Sequence, residues 1–185
     1  EDWYAAAEYF LEALHTNPNH IESIAALAEC YYELREYDQA FTWIRKARLL
    51  SRADTSLANL EALILIALGR IEAAESILKD ILANEPYNRD ALFAAAELEV
   101  ARGRAGEAVQ RYREAVRRYP DDSRALLSLA LVLGSLGDVS GAESFVKRAV
   151  EENSGDYRVH YYSAYLDADA GRLDAAGRSL SRVLV

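Results

Sequence analysis

The chain has a single cysteine, Cys30, with three prolines and three histidines in 185 residues. Each scarcity removes a class of explanation. One cysteine excludes an internal disulfide and any thiolate zinc cluster supplied by this chain alone. Few prolines, in a chain that is 51% hydrophobic, indicate a folded protein rather than a disordered one. His15, His20 and His160 are too scattered for the helical zinc spacing of two histidines four apart, and they read as surface or interhelix residues. The longest apolar run, Ala62 to Leu68, is far short of the roughly 20 residues a spanning helix needs, so no membrane insertion is expected. Basic residues are in deficit, 21 Lys and Arg against 30 Asp and Glu, for a net charge of -9. That disfavours nucleic acid, whose binders neutralise phosphates with surplus Lys and Arg. No GK[ST] loop, GxSxG or GxGxxG is present, so no catalytic residue, no cofactor and no metal site is expected. The chain opens at Glu1 without a charged-then-apolar leader, and no compartment is assigned.

What the sequence has is a repeat. Ala6, Ala40, Ala74, Ala108, Ala142 and Ala176 follow one another at intervals of 34 residues without insertion. Four residues after each stand Phe10, Ile44, Leu78, Tyr112, Val146 and Leu180, and three further on Ala13, Ala47, Ile81, Ala115, Ala149 and Val183. A step of four and then three keeps to one face of a helix. Five residues before the alanines come Arg35, Gly69, Gly103, Gly137 and Gly171, and glycine there suits a helix stop. Pro18, Pro86 and Pro120 are likewise in phase and mark the break between units.

Each period therefore holds two helices joined by a tight turn. First helices are predicted near 21–34, 55–68, 89–102, 123–136 and 157–170. Second helices are predicted near 1–16, 37–51, 71–84, 105–118, 139–152 and 173–184. The in-phase alanines let paired backbones approach at the short end of the usual 8–10 Å. Asp121 and Asp122 precede a helix, where they can satisfy free amides. Gly106, Gly134 and Gly141 lie near or inside helices, at a cost of up to about 1 kcal/mol each in an interior.

A 34-residue helix-turn-helix unit with these Ala, apolar and Pro positions resembles the tetratricopeptide repeat family. Ile21–Asp54 carries the likeness most clearly, with Leu27, Ala28, Tyr31, Tyr37, Ala40 and Ala47 in the family's places. The resemblance implies an all-α fold, a right-handed α-α superhelix (solenoid) of antiparallel helix pairs. It implies one array over 1–185: a truncated unit at 1–20, full units at 21–54, 55–88, 89–122 and 123–156, and a truncated last unit at 157–185. The helix without a partner at the start and the apolar finish at Leu180 to Val185 suggest a piece of a longer array, or ends covered by a second copy of the chain. Pentatricopeptide repeats, which read RNA, are the nearest competitor, and the strict 34 and the negative charge speak against them. Glu61, Glu99 and Asp167 depart from the family pattern, standing where apolar or aromatic residues are usual, so their helices are expected to pack less regularly.

In this family the first helices line a concave face, and places two, five, nine, twelve and thirteen of each unit contact ligand. Carried over, these give Glu22, Glu29, Tyr32 and Glu33, then Asn59 and Leu63, then Phe93 and Glu97. The fourth unit gives Leu127 and Leu131, beside Arg124, Gly134 and Ser135, and the last gives Tyr161 and Tyr165, beside Arg158 and Asp169. The groove so drawn is acidic at one end and apolar to aromatic elsewhere, and exposed apolar residues of this kind mark contact surfaces. The carboxylate clamp of some family members is absent, since Glu29, Leu63 and Glu97 replace its basic or amide groups. Leu63, Leu127 and Leu131 could equally pack against neighbouring helices, and Tyr162 could pad a joint between units. The expected function is a non-enzymatic scaffold that binds an apolar or amphipathic segment of another protein. The alternative is a self-association or regulatory module of a larger enzyme or complex.

Overall fold

In the computed structural model, residues 2–155, 157–169 and 171–182 are described. Eleven α-helices and no strand occur among them. The chain divides into two compact units, residues 1–102 and 103–185. The first holds α1 (Trp3–Thr16), α2 (Ile21–Glu33), α3 (Tyr37–Leu50), α4 (Thr55–Ala67), α5 (Ile71–Asn84) and α6 (Arg89–Ala101). The second holds α7 (Ala105–Arg118), α8 (Ser123–Ser135), α9 (Val139–Glu152), α10 (Tyr157–Asp169) and α11 (Leu173–Ser181). Within each unit every helix packs on the next, and α4 with α6 and α8 with α10 also touch. Each unit is built from antiparallel helix pairs, with helix boundaries within two or three residues of those the repeat predicts. α11 ends at Ser181, and the repeat position Val183, with the apolar finish to Val185, lies outside the described residues.

The periodicity is visible in the caps. His20, Asp54, Asn88 and Asp122 occupy one slot of the repeat, and each side chain accepts a backbone N–H of the helix it starts. Such a cap contributes about 1 kcal/mol. Of the acidic pair before α8 it is Asp122 that caps, accepting from the amides of Arg124 at 3.0 Å and Ala125 at 3.3 Å. The turn inside each pair is closed by a left-handed residue: Arg35 (φ 61°), Gly69, Gly103, Gly137 and Gly171. At Arg35 the amide bonds the carbonyl of Tyr32, and the next amide, Glu36, bonds that of Tyr31. These two bonds satisfy helix-end carbonyls that would otherwise be orphaned.

The core follows the repeat. Ala40, Ala74, Ala108 and Ala142 are fully buried, as are Ala47, Ala115 and Ala149, with Ile44, Leu78, Tyr112 and Val146 buried between them.

The acidic departures do not loosen their helices, because each acid has an arginine. Arg48 Nε donates to Glu61 at 3.1 Å, and its Nη1 donates to the carbonyls of Arg52 and Asp54. Arg102 stands 3.8 Å from the buried Glu99 and also donates to Glu75. Arg172 donates to Asp167 at 2.9 Å and to Glu143 at 2.5 Å. Helices α4, α6 and α10 are uninterrupted over 13 residues each.

Candidate functional site

In the second unit, α8, α9 and α10 enclose an open cavity of about 460 Å³. Leu127, Ala130, Leu131, Gly134 and Ser135 come from α8, Val139 and Val146 from α9, and Tyr161, Tyr162, Tyr165 and Leu166 from α10. The geometry comes from helical spacing. Leu127 and Leu131 are four apart on α8, Tyr161 and Tyr165 four apart on α10, so each helix presents a ridge along the cavity. Gly134 keeps the cavity open at one end, where a Cβ would lie 3.8 Å from the Cβ of Ala142. Leu127 is nearly covered and forms floor, while Leu131 (42% exposed), Tyr161 (53%) and Tyr165 (58%) stand as the rim. Val139, on the α9 side of the cavity, is also exposed.

The residues carried over from the repeat thus separate into groups. Leu127, Leu131, Tyr161 and Tyr165 are brought to one cavity. Glu22, Glu29 and Glu33 are exposed on α2, and Tyr32 is half-buried with its ring 5.7 Å from that of Tyr37. Leu63 is half-buried against the core formed with Ala62, Leu65, Ala94 and Leu98, and Glu97 is half-buried. Phe93 and Asn59 are 2% and 4% exposed and present no surface to a partner. The reason for Phe93 is plain, since every residue from Ala91 to Ala96 of α6 is buried. Asn59 is turned inward to donate to the Asn88 side chain at 3.0 Å. The side chain of Asp169 lies outside the described residues.

Val139, Val146 and Leu166 line the cavity without belonging to the repeat's contact places. A search restricted to first-helix places passes over α9, although the apolar Val139 straight after the Gly137–Asp138 turn is a signal.

The remaining chemistry is structural. Cys30 is buried, and that burial, ahead of the nearby Glu29 charge, pushes its thiol above the ordinary range, where it stays protonated and unreactive. His160 is buried with its Nε2 2.8 Å from the Ser154 carbonyl, and His20 is a helix cap. Among the described residues no group of three or more His, Cys, Asp or Glu could hold a metal, and no helix is long and apolar enough to cross a membrane. Charge is segregated along the chain. Residues 1–102 carry 18 Asp and Glu against 9 Lys and Arg, whereas residues 103–185 carry 12 of each.

Helix pairs in strict 34-residue phase, with an apolar groove between the two first helices α8 and α10, define a helical-repeat protein. The tetratricopeptide repeat model matches residues 59–122 and 93–157, together more than half of the sequence, and the chain belongs to the tetratricopeptide repeat family. A second family model, anaphase-promoting complex, cyclosome, subunit 3, matches residues 2–81. Among curated proteins the chain is similar to cellulose synthase 2 operon protein C of Komagataeibacter xylinus, 29% identical over 145 residues. That match takes in 77% of this chain and 10% of the relative, so the chain spans about a tenth of the relative's length. Among solved structures it resembles TTC0263, a thermophilic TPR protein of Thermus thermophilus (23% identity, TM-score 0.78, 89% of this chain and 90% of that one). It also resembles the human IFIT1 dimer with m7Gppp-AAAA (19% identity, TM-score 0.79, 98% of this chain and 46% of that one). At these identities the likeness is one of fold.

Proposed function

We propose that this chain is a non-enzymatic scaffold that holds an apolar or amphipathic segment of another protein, and that the groove of α8, α9 and α10 is where it does so. The observation that carries the reading is the exposure of Leu131, Tyr161 and Tyr165 around one cavity. Large apolar and aromatic side chains left in water on an ordered surface are the usual anchors of an interface. Protein binding is the typical role of the family. A phosphate-bearing ligand such as the m7Gppp-AAAA found with the IFIT1 dimer suits this groove poorly, since its described lining has no Lys or Arg to neutralise phosphate. The acidic face of α2 at Glu22, Glu29 and Glu33 favours partners that bear basic residues elsewhere on their surface.

The test compares proteins retained by the wild-type chain and by the Tyr161→Ala, Tyr165→Ala double variant in quantitative pull-downs. Partners held by the groove drop out with the double variant while its helical circular dichroism is unchanged. Equal recovery would remove the groove as the site.

A second reading, a self-association or regulatory module of a larger protein, is favoured by the relative in which the matching segment makes up 10% of the length. Sedimentation of the chain across a concentration series separates the two, because self-association makes the sedimentation coefficient rise with concentration.

A further inference from the structure

The hydrogen-bonding inventory of the groove is as informative as its apolar content. Its eleven described lining residues include no Asn, Gln, Lys, Arg, His, Asp or Glu. The side-chain polar groups are the phenols of Tyr161, Tyr162 and Tyr165 and the hydroxyl of Ser135, whose proton is already donated to the Val132 carbonyl at 2.8 Å.

Two consequences follow for an occupant. A charged side chain entering would lose hydration with no counter-ion among the described lining residues to receive it, so the inserted side chains are uncharged. The backbone is constrained as well. From Leu127 to Ser135 the groove runs eight residues along α8, about 12 Å at 1.5 Å per residue. An extended segment would lay about four residues there, at roughly 3.3 Å each. Their amides and carbonyls would be taken from water beside three phenols and one hydroxyl that can only accept. A helix has no such difficulty, because its backbone groups are satisfied internally. About two turns fit the same length, presenting side chains at i, i+3 or i+4, and i+7. The ridges Leu127–Leu131 and Tyr161–Tyr165 are the four-apart rows between which a third helix packs.

We infer that the occupant of this groove is an amphipathic α-helix inserting an uncharged stripe of large aliphatic or aromatic residues, and not an extended peptide. The inference rests on the groove being the binding surface, and the experiment separates the two statements.

A random linear peptide library, long enough for four helical turns, is displayed and selected on the full chain. Enriched peptides are titrated against the wild type, Tyr161→Ala and Leu131→Ala, with Tyr165→Ala in reserve should either variant unfold. The expected result is enrichment of uncharged large residues at i, i+3 or i+4, and i+7, with a gain of helical circular dichroism on binding. Proline placed between the anchors then weakens binding by about tenfold or more, as breaking the bound helix requires. Peptides that alternate at i and i+2 or tolerate proline, yet are lost with Tyr161→Ala, overturn the helical inference and leave the groove reading standing. Peptides indifferent to all the variants overturn both, as does the absence of any enriched peptide. A chain that sediments as a dimer, and becomes a monomer with Tyr161→Arg, makes a second copy the occupant and also overturns the inference.

Discussion

The guanidinium of Arg102, at the C-cap of α6, donates to the carboxylate of Glu75 on α5, 27 residues earlier. Arg102 also stands 3.8 Å from Glu99 on its own helix, so one cation ties an acid on each of two packed helices. Two periods on, the corresponding acids are Glu143 and Asp167, and they are tied by Arg172. That arginine sits at the N-cap of α11 rather than at the end of a first helix. The acids keep the phase of the repeat and the cation does not, so the contact recurs although the slot that supplies its arginine changes.

This arrangement predicts an acid dependence. Hydrogen bonds from Arg102 first, and then from Lys79, hold Glu75 at about 2 against an ordinary 4.5. A carboxyl depressed on folding contributes stability that is fully present above its unfolded value, near 4.5, and is lost as pH falls toward the folded value. Between about pH 4.5 and 2 the wild type should therefore lose more stability than Glu75→Gln, read as the urea midpoint across pH. Parallel curves for the two proteins would contradict the contact.

Asn59 provides a test of the opposite sign. Its amide nitrogen donates to the Asn88 side chain, while its carbonyl oxygen is buried without a protein hydrogen bond. Asn88 Oδ1 keeps a donor in the Ala91 amide at 2.9 Å if Asn59 is removed. Asn59→Leu should thus be neutral or stabilising, by up to about 1–2 kcal/mol in chemical denaturation, because a buried unsatisfied acceptor is replaced by an apolar group of similar size.

Arg35 holds a left-handed conformation that its four counterparts assign to glycine. Arg35→Gly removes the Cβ conflict, worth roughly 1–2 kcal/mol, against a smaller gain in unfolded-state freedom. The variant should be more stable by about 0.5–1 kcal/mol. A lower melting temperature would indicate that the Arg35 side chain contributes more than its backbone costs.

The alanines at the centre of each pair are the most demanding positions. Ala74 and Ala142 have no exposed surface, so Ala74→Leu or Ala142→Leu must push helices apart, at about 1–3 kcal/mol. An unchanged melting temperature would argue against close packing of these pairs.

Gly134 joins stability to function. It lies within α8, and an added Cβ would meet Ala142 at an ordinary 3.8 Å, so Gly134→Ala should stabilise the helix by up to about 1 kcal/mol. Because Gly134 lines the groove, the same methyl narrows it and should weaken a groove ligand. Increased thermal stability with undiminished binding would place the ligand elsewhere.

The sequence alone determined the helix pairs. A 34-residue phase, four-then-three spacing, glycine stops and cap residues are local signals, each acting within one or two turns, and the helices form where those signals place them. The resemblance to the repeat family, carried over by phase, added Leu127, Leu131, Tyr161 and Tyr165, four residues that line the cavity. Tertiary structure alone decided which contact places stay open. Phe93 and Tyr161 occupy the same place of the repeat, two periods apart, yet Phe93 is buried and Tyr161 is 53% exposed. Exposure depends on how closely neighbouring helices approach, a sum over residues distant in the chain that no single period encodes. For the same reason the sequence marked Glu61, Glu99 and Asp167 as irregular, while Arg48 against Glu61, Arg172 against Asp167 and the tie from Arg102 to Glu75 came into view only when the helices were packed.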